Sequence, residues 1–259
     1  MQTGKRPRNM SQIERYTNYT DSPCEYERLN WLYNTISRRR KKGRLVRILD
    51  VGCGNGKSTI PLGLIEFSEV KGIDLREEFV QLGKQRNSLQ NVTISSENLF
   101  NCSISAYDFI ILTDVLEYSE SYRKVLRYIA KEGHPLVEIQ VTVSNGFGPL
   151  ELIMRPWYQF RNWCFRAKLS TKTQKYPVNF FTVQRLRREM DRFGLEVVEV
   201  KKAYVFSPLL QTLFPSFSLR RFAKADNFLA QLLPKFLVSS HYYRVRKKRN
   251  HLKVVWKRG

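Results

Sequence analysis

Glycines and carboxylates cluster near residue 50 in a spacing that could hold a charged ligand. Three glycines alternate over residues 52–56 and follow Asp50 closely, and Asp74 stands 18 residues after the last of them. A dinucleotide-binding turn places its third glycine one position later, where this chain has Lys57. A carboxylate beside the turn also favours a cationic ligand over a pyrophosphate. The pattern therefore predicts a ligand with positive groups and a ribose whose hydroxyls hydrogen-bond to Asp74.

These features together describe a site for S-adenosylmethionine, whose sulfonium and amino groups are positive. A purely structural alternative remains open. In that alternative the glycines allow close packing between a strand and a helix, and Asp74 is a solvated strand end.

Segments of strand and helix pattern alternate around these residues. Strands are predicted at residues 46–51, 69–73, 92–95, 109–113 and 136–142, and helices at 59–67, 77–86 and 122–130. Ser58 is the expected N-cap of the first helix. Such alternation is typical of a doubly wound α/β sheet, which binds ligands at the C-terminal ends of its strands.

Three segments carry a family resemblance. Residues 48–56, Ile-Leu-Asp-Val-Gly-Cys-Gly-Asn-Gly, resemble the first motif of class I S-adenosylmethionine-dependent methyltransferases. Residues 70–74 resemble the second motif, and residues 107–118 resemble the segment of the fourth strand. The resemblance implies a Rossmann-like, doubly wound, mostly parallel seven-stranded sheet with an inserted lid and a basic helical C-terminal region.

The resemblance also implies how the chain is organised. Residues 1–44 are expected to form a basic helical segment over the cofactor. Residues 45–203 form the core, with the lid inserted at about 144–180, and residues 204–259 form a basic aromatic helical region with a closing strand. Residues 195–203 are expected to pair antiparallel with a closing strand near residues 252–256. Thr182 is the expected N-cap of the preceding helix, and Gly194 is expected just after its end.

Carried onto this chain, the family's cofactor site comprises Asp50, Gly52, Cys53, Gly54, Asn55, Gly56, Asp74, Leu75, Glu97, Asn98 and Thr113. Glu97 and Asn98 stand where this family approaches the adenine, although its usual Asp is absent. Tyr16, Tyr19 and Trp31 could cover the cofactor or belong to the core.

Methyl transfer is an in-line displacement at carbon, so the enzyme mainly aligns the reactants and excludes water. For a hydroxyl acceptor, Asp114 and Glu117 are the candidate catalytic bases, with capping a turn or holding a loop as equal alternatives. Residues 114–118 resemble ubiquinone-pathway O-methyltransferases, in which two carboxylates and a His can hold a metal. Tyr118 occupies the His position here, so we expect no metal.

The charge is concentrated at the two ends of the chain. The net charge of +22 divides into +8 over residues 1–47, −4 over 48–150 and +18 over 151–259. The last segment is also rich in aromatic residues, a mixture that suits an anionic membrane surface or nucleic acid. An ordinary cap with a solvated basic face is the alternative.

Several classes of protein are excluded or disfavoured by composition. No apolar run approaches the roughly 20 residues that span a bilayer. The four scattered cysteines favour reduced thiols and a cytoplasmic location, with peripheral membrane association as an extension. The leading hypothesis is O-methylation of a hydrophobic or membrane-associated small molecule or lipid. The alternatives are an RNA methyltransferase that uses the basic flanks and a catalytically silent S-adenosylmethionine-binding scaffold.

Overall fold

The computed structural model describes residues 23–40, 43–149, 151–152, 156, 179–213 and 220–248. The described strands are β1 Val46–Val51, β2 Ser68–Asp74, β3 Val92–Ser96, β4 Phe109–Thr113, β5 Glu138–Ser144, β6 Leu195–Ala203 and β7 Ser240–Lys247. The described helices are α1 Pro23–Arg39, α2 Thr59–Leu62, α3 Glu77–Arg86, α4 Tyr122–Glu132, α5 Val183–Arg192, α6 Ser207–Leu213 and α7 Arg220–Leu232. None of these helices is long and apolar enough to cross a bilayer.

The seven strands form one sheet in the order β3-β2-β1-β4-β5-β7-β6. β1 pairs in parallel with β2, and β2 pairs in parallel with β3. β7 runs antiparallel to both β5 and β6. Strands covered on both faces need continuous apolar residues, and Phe109–Leu112 are all buried. The Rossmann-like, mostly parallel sheet is confirmed.

The chain divides into two compact units, residues 1–111 and 112–259. In the first unit, the glycine turn packs closely on β2. A Cβ added at Gly72 would lie 2.9 Å from Cys53 Sγ and 2.9 Å from Thr59 Cγ2. Glycine at this position therefore lets the turn and the start of α2 approach the strand.

Helix α2 ends earlier than its pattern predicts. It spans Thr59–Leu62 rather than residues 59–67, and Gly63 follows it. Ser58 occupies the predicted N-cap position, but it has a helical backbone and its side chain makes no cap hydrogen bond. The amide of Ile60 instead bonds to the carbonyl of Gly56, because the tight turn itself supplies the first acceptor.

In the second unit, the predicted limits of α5 are confirmed. Thr182 Oγ1 accepts a hydrogen bond from the Arg185 amide at 3.1 Å, as an N-cap does. Gly194 follows the helix with φ 71°, the left-handed conformation that glycine adopts readily.

The closing strand lies earlier than expected. β6 pairs with Ser240–Lys247, so the prediction near residues 252–256, which are outside the described residues, was wrong. Tyr243 is fully buried in β7, while Arg246 faces Glu196 at 3.0 Å and Arg244 faces Glu199 at 2.9 Å. Arg244 and Arg246 of the basic C-terminal segment are thus cross-strand partners of acidic residues. Tyr16, Tyr19 and most of the expected lid also lie outside the described residues.

Candidate functional site

The glycine turn after β1 has a backbone that glycine alone adopts easily. Gly52, Gly54 and Gly56 have φ angles of 70°, 55° and 75°. A Cβ at Gly56 would lie 2.6 Å from Ile94 Cδ1, so this glycine also serves packing. A Cβ at Gly54 would meet no atom within 4 Å. Gly54 therefore presents bare backbone to open space, where a ligand can approach.

The turn is joined to the end of β2 through Asp74. The Gly54 amide donates a 2.9 Å hydrogen bond to Asp74 Oδ2, and the Arg76 amide donates one of 2.9 Å to Oδ1. The Gly52 and Cys53 amides both donate to the Ile73 carbonyl. The carboxylate predicted to receive ribose hydroxyls is thereby oriented beside the turn, and it keeps further acceptor capacity.

Cys53 and Asn55 lie within the turn between the three glycines. Cys53 is buried, and burial raises the pKa of its thiol far above the usual value. The thiol is therefore neutral and does not act as a nucleophile. Asn55 is half-buried, and helix α3 packs closely behind it. A Cβ at Gly83 of that helix would lie 3.2 Å from the Asn55 carbonyl carbon.

Asp50 is a buried carboxylate with one oxygen left over. The Thr59 hydroxyl donates a 2.6 Å hydrogen bond to Oδ2, while Oδ1 has no hydrogen-bond partner in the described part of the chain. Burial raises the pKa of Asp50 to about 6, although Thr59 and Arg28 act to lower it. Such an oxygen is costly unless a donor or cation meets it, and the positive amino group of S-adenosylmethionine fits this requirement.

The residues after β3 are placed beside Asp74 by the backbone, since the Glu97 amide donates to the Asp74 carbonyl at 3.2 Å. The Glu97 carboxylate forms an ion pair with Lys71 at 2.5 Å, and the hydrogen bond from Lys71 lowers the pKa of Glu97. Asn98 Oδ1 accepts from the Phe100 amide. Of the predicted cofactor-binding residues in this region, Glu97 is thus already engaged by Lys71, whereas the Leu75 side chain is exposed.

Helix α1 belongs to the same unit and reaches the glycine turn. Glu25 Oε2 lies 3.7 Å from Lys57 Nζ, and the charge of Arg28 lowers the pKa of Asp50. Sequence reasoning missed Arg28 and Thr59. The signal for Thr59 was its place as the first helical residue after the turn, whereas nothing in the spacing marked Arg28.

In the second unit, Thr113 ends β4, and Asp114 follows it in a left-handed conformation with φ 53°. Its amide donates to the Thr142 carbonyl at 3.1 Å, and the Thr142 hydroxyl approaches Asp114 Oδ1 at 3.4 Å. Asp114 is half-buried. Non-glycine residues with positive φ are uncommon and cluster at functional sites, so the backbone of Asp114 is consistent with its predicted place among the catalytic residues.

Glu117 occupies a different environment. It is 2% exposed, and Oε1 accepts a 2.7 Å hydrogen bond from the Ser144 amide at the end of β5. Its carbonyl accepts from the Asn179 amide, and Asn179 Nδ2 donates to the Leu116 carbonyl. These bonds hold the loop after β4 in place. Among the described residues, no group of three or more His, Cys, Asp or Glu side chains could hold a metal.

The amino-acid sequence is similar to those of known proteins. A family model described as "Methyltransferase domain" matches residues 23–200. The malonyl-[acyl-carrier protein] O-methyltransferase of Bacillus anthracis is 29% identical over 98 residues, which are 37% of this chain and 36% of that protein. This chain therefore spans about a third of the length of that relative.

Solved structures share the fold at low identity. Magnesium protoporphyrin IX methyltransferase from Synechocystis PCC 6803, solved with bound SAH, is 16% identical with a TM-score of 0.53, covering 95% of this chain and 90% of that one. The [4+2]-cyclase SpnF is 14% identical with a TM-score of 0.56, covering 84% and 80%. With the glycine turn, the two strand-end carboxylates and the matched family model, the chain belongs to the class I S-adenosylmethionine-dependent methyltransferases.

Proposed function

We propose that this enzyme transfers the methyl group of S-adenosylmethionine to an oxygen of a hydrophobic or membrane-associated small molecule or lipid. The buried Asp50 carboxylate supports the binding of S-adenosylmethionine, because its Oδ1 has no hydrogen-bond partner in the described part of the chain. Gly54, whose backbone is open to a ligand, follows Asp50 by four residues in the turn after β1.

The first unit supplies the groups that hold the cofactor. Asp50 would meet the positive amino group, and Asp74 would accept hydrogen bonds from the ribose hydroxyls. Glycine at position 54 lets the ligand approach the backbone. Leu75 and Asn98 are proposed beside the adenine, with Glu97 fixing the local backbone. When bound, S-adenosylmethionine supplies a methyl group on a positive sulfur, which an oxygen nucleophile can displace.

Asp114 is the proposed catalytic base in the second unit. It is half-buried and held by backbone and side-chain contacts to Thr142. A carboxylate in this setting can accept the proton that a hydroxyl acceptor loses as its oxygen attacks carbon. Glu117 acts as a positioning residue, because its Oε1 is bonded to the Ser144 amide.

Two observations support oxygen as the methylated atom. The residues after β4 offer carboxylates for a hydroxyl acceptor, and they differ from the Asn/Asp-Pro-Pro-Tyr sequence of many N-methyltransferases. The Bacillus anthracis relative is an O-methyltransferase by name.

The experiment follows methyl-labelled S-adenosylmethionine into an extract separated into lipid, small-molecule and RNA fractions. Wild type is compared with Gly54→Arg, which fills the open space at the turn. Gly43→Arg is the matched control, because Gly43 also has positive φ and an open Cβ direction but lies outside the turn.

Label entering the lipid or small-molecule fraction with wild type and Gly43→Arg, but not with Gly54→Arg, would support the proposal. Label in the RNA fraction would show that the acceptor is RNA and not a lipid or small molecule. Cofactor binding without label in any fraction would favour the scaffold alternative.

A further inference from the structure

Large apolar side chains are exposed on helix α7 and the loops beside it. Seven of them are between 38% and 69% exposed, and we call this set the α7 surface. They are Phe206, Phe222, Phe228, Leu229, Leu232, Phe236 and Leu237. Several exposed large apolar side chains on one helix and its adjoining loops are typical of an interaction site.

Two members of the α7 surface lie away from the face that α7 packs on its own unit. Ala230 is fully buried in a cluster with Val205 and Val238. Phe228 and Leu232 each lie two positions from Ala230, on nearly the opposite side of a helix that turns about 100° per residue. The exposed phenylalanine and leucine are therefore not needed to pack the helix on the core.

The helix is also fixed in place. The buried Asp226 carboxylate accepts hydrogen bonds from the Val205 and Phe206 amides at 3.1 Å and from the Ser207 amide at 2.7 Å. At the other end, Lys202 Nζ donates to the Leu233 carbonyl. The exposure of the α7 surface thus belongs to an anchored helix.

The charge around this surface has one sign. Residues 204–240 contain a single acidic residue, Asp226, and it is buried. Lys224 and Lys235 are exposed. The basic residues of the segment are Arg220, Arg221, Lys224 and Lys235. Apolar side chains flanked by cations complement an anionic lipid surface, where rings and leucines enter the headgroup region.

The α7 surface lies at a defined edge of the second unit's strands. Ser240 at the start of β7 pairs with Ser144 at the end of β5 and with Ala203 at the end of β6. Asn145 Nδ2, just after β5, donates to the Phe236 carbonyl at 3.1 Å. Because α/β sheets bind ligands at the C-terminal ends of their parallel strands, the end of β5 is the edge where an acceptor is expected.

We propose that the α7 surface docks the protein on an anionic lipid bilayer. Seven large apolar side chains beside two exposed lysines favour a bilayer over nucleic acid, whose phosphates are bound mainly by cations. Docking adds a partner to the proposed function and would bring a lipid acceptor to the edge at β5. It is measured by binding alone, so either proposal can fail without the other.

The test is sedimentation of the full chain with phosphatidylcholine vesicles that contain or lack phosphatidylglycerol. Phe228→Asp with Leu232→Asp removes the apolar contact, and we expect roughly tenfold weaker binding for each substitution. Lys224→Gln with Lys235→Gln should weaken binding roughly fivefold for each lysine, and only where phosphatidylglycerol is present. Leu136→Asp is the matched control, since Leu136 is 80% exposed in the turn before β5. Thermal unfolding checks that every variant is folded.

Binding that depends on phosphatidylglycerol and is lost in the α7 variants, but retained by Leu136→Asp, supports docking. Three results overturn it: no binding of wild type to these vesicles, equal binding of the α7 variants, or conversion of a dimer to a monomer by Phe228→Asp. Selective RNA binding through Lys224 and Lys235, without vesicle binding, would also overturn it.

Discussion

The Thr59 hydroxyl donates a 2.6 Å hydrogen bond to Asp50 Oδ2, and both side chains are at most 1% exposed. This bond orients the carboxylate, while Oδ1, which we propose meets the cofactor, has no hydrogen-bond partner in the described part of the chain. It also lowers the pKa of Asp50, which burial has raised to about 6.

Thr59→Val removes this hydrogen bond with little change in side-chain shape. The pKa of Asp50 should rise further, and the affinity for S-adenosylmethionine at pH 7 should fall roughly tenfold, because a buried acceptor loses its donor. Calorimetric titration over a pH series measures both quantities. An unchanged dissociation constant and pH profile would show that Thr59 does not orient Asp50.

Affinity for the cofactor should depend on the protonation of Asp50. With a pKa of about 6, the carboxyl is ionised at pH 7 and attracts a cation, but it becomes neutral as the pH falls through about 6. Below that pH, we expect affinity to fall up to about tenfold per pH unit. Asp50→Asn should bind weakly and lose this dependence. The same pH dependence in Asp50→Asn would assign it to another group.

Stability should respond to acid through two groups with opposite effects. Burial lowers the pKa of His241 from 6.5 to about 4, so the unfolded chain takes up its proton first and stability falls as the pH drops between these values. Asp50 has a pKa raised from 3.8 to about 6, so the native state takes up its proton first. Its effect is to raise stability as the pH drops from about 6 to 3.8. Each effect is on the order of 3 kcal/mol, and they nearly cancel.

Single substitutions should expose this cancellation. Relative to wild type, Asp50→Asn should lose stability more steeply from pH 6.5 to 4, because the His241 effect remains. His241→Gln should gain stability relative to wild type over the same range. Urea unfolding at several pH values measures the difference curves, and two flat curves would contradict the assignment.

Substitutions of Asp114 and Glu117 should have different effects, the first on kcat and the second on stability. Asp114→Asn should lower kcat roughly a hundredfold or more, with cofactor binding and unfolding midpoint retained, because Asn tolerates the left-handed backbone and cannot act as a base. Glu117→Ala should instead cost about 1–3 kcal/mol of stability, because the Ser144 amide loses its acceptor, whereas Glu117→Gln keeps an oxygen that accepts this bond. A large loss of kcat in stable Glu117→Gln, with active Asp114→Asn, would reverse these roles.

Local sequence signals predicted the fold well where an element has its own pattern. β1 and β4 were predicted with their observed limits, because strands covered on both faces require apolar runs. Thr182 and Gly194 likewise marked the ends of α5 through local backbone chemistry. Ser58 stands at the predicted N-cap position of α2 without a side-chain cap bond, and the Ile60 amide bonds to the Gly56 carbonyl of the preceding turn.

By itself, the sequence determined the Rossmann-like alternation and the spacing of Asp50, the glycine turn and Asp74, since these depend on neighbours along the chain. Only the tertiary structure decided that Thr59 holds one oxygen of Asp50 and that β7 begins at Ser240. It also placed Phe228 and Leu232 on the exposed side of α7. These features depend on burial and on pairing between segments that are distant along the chain. The residues of α7 alone do not determine which of its sides packs against another element.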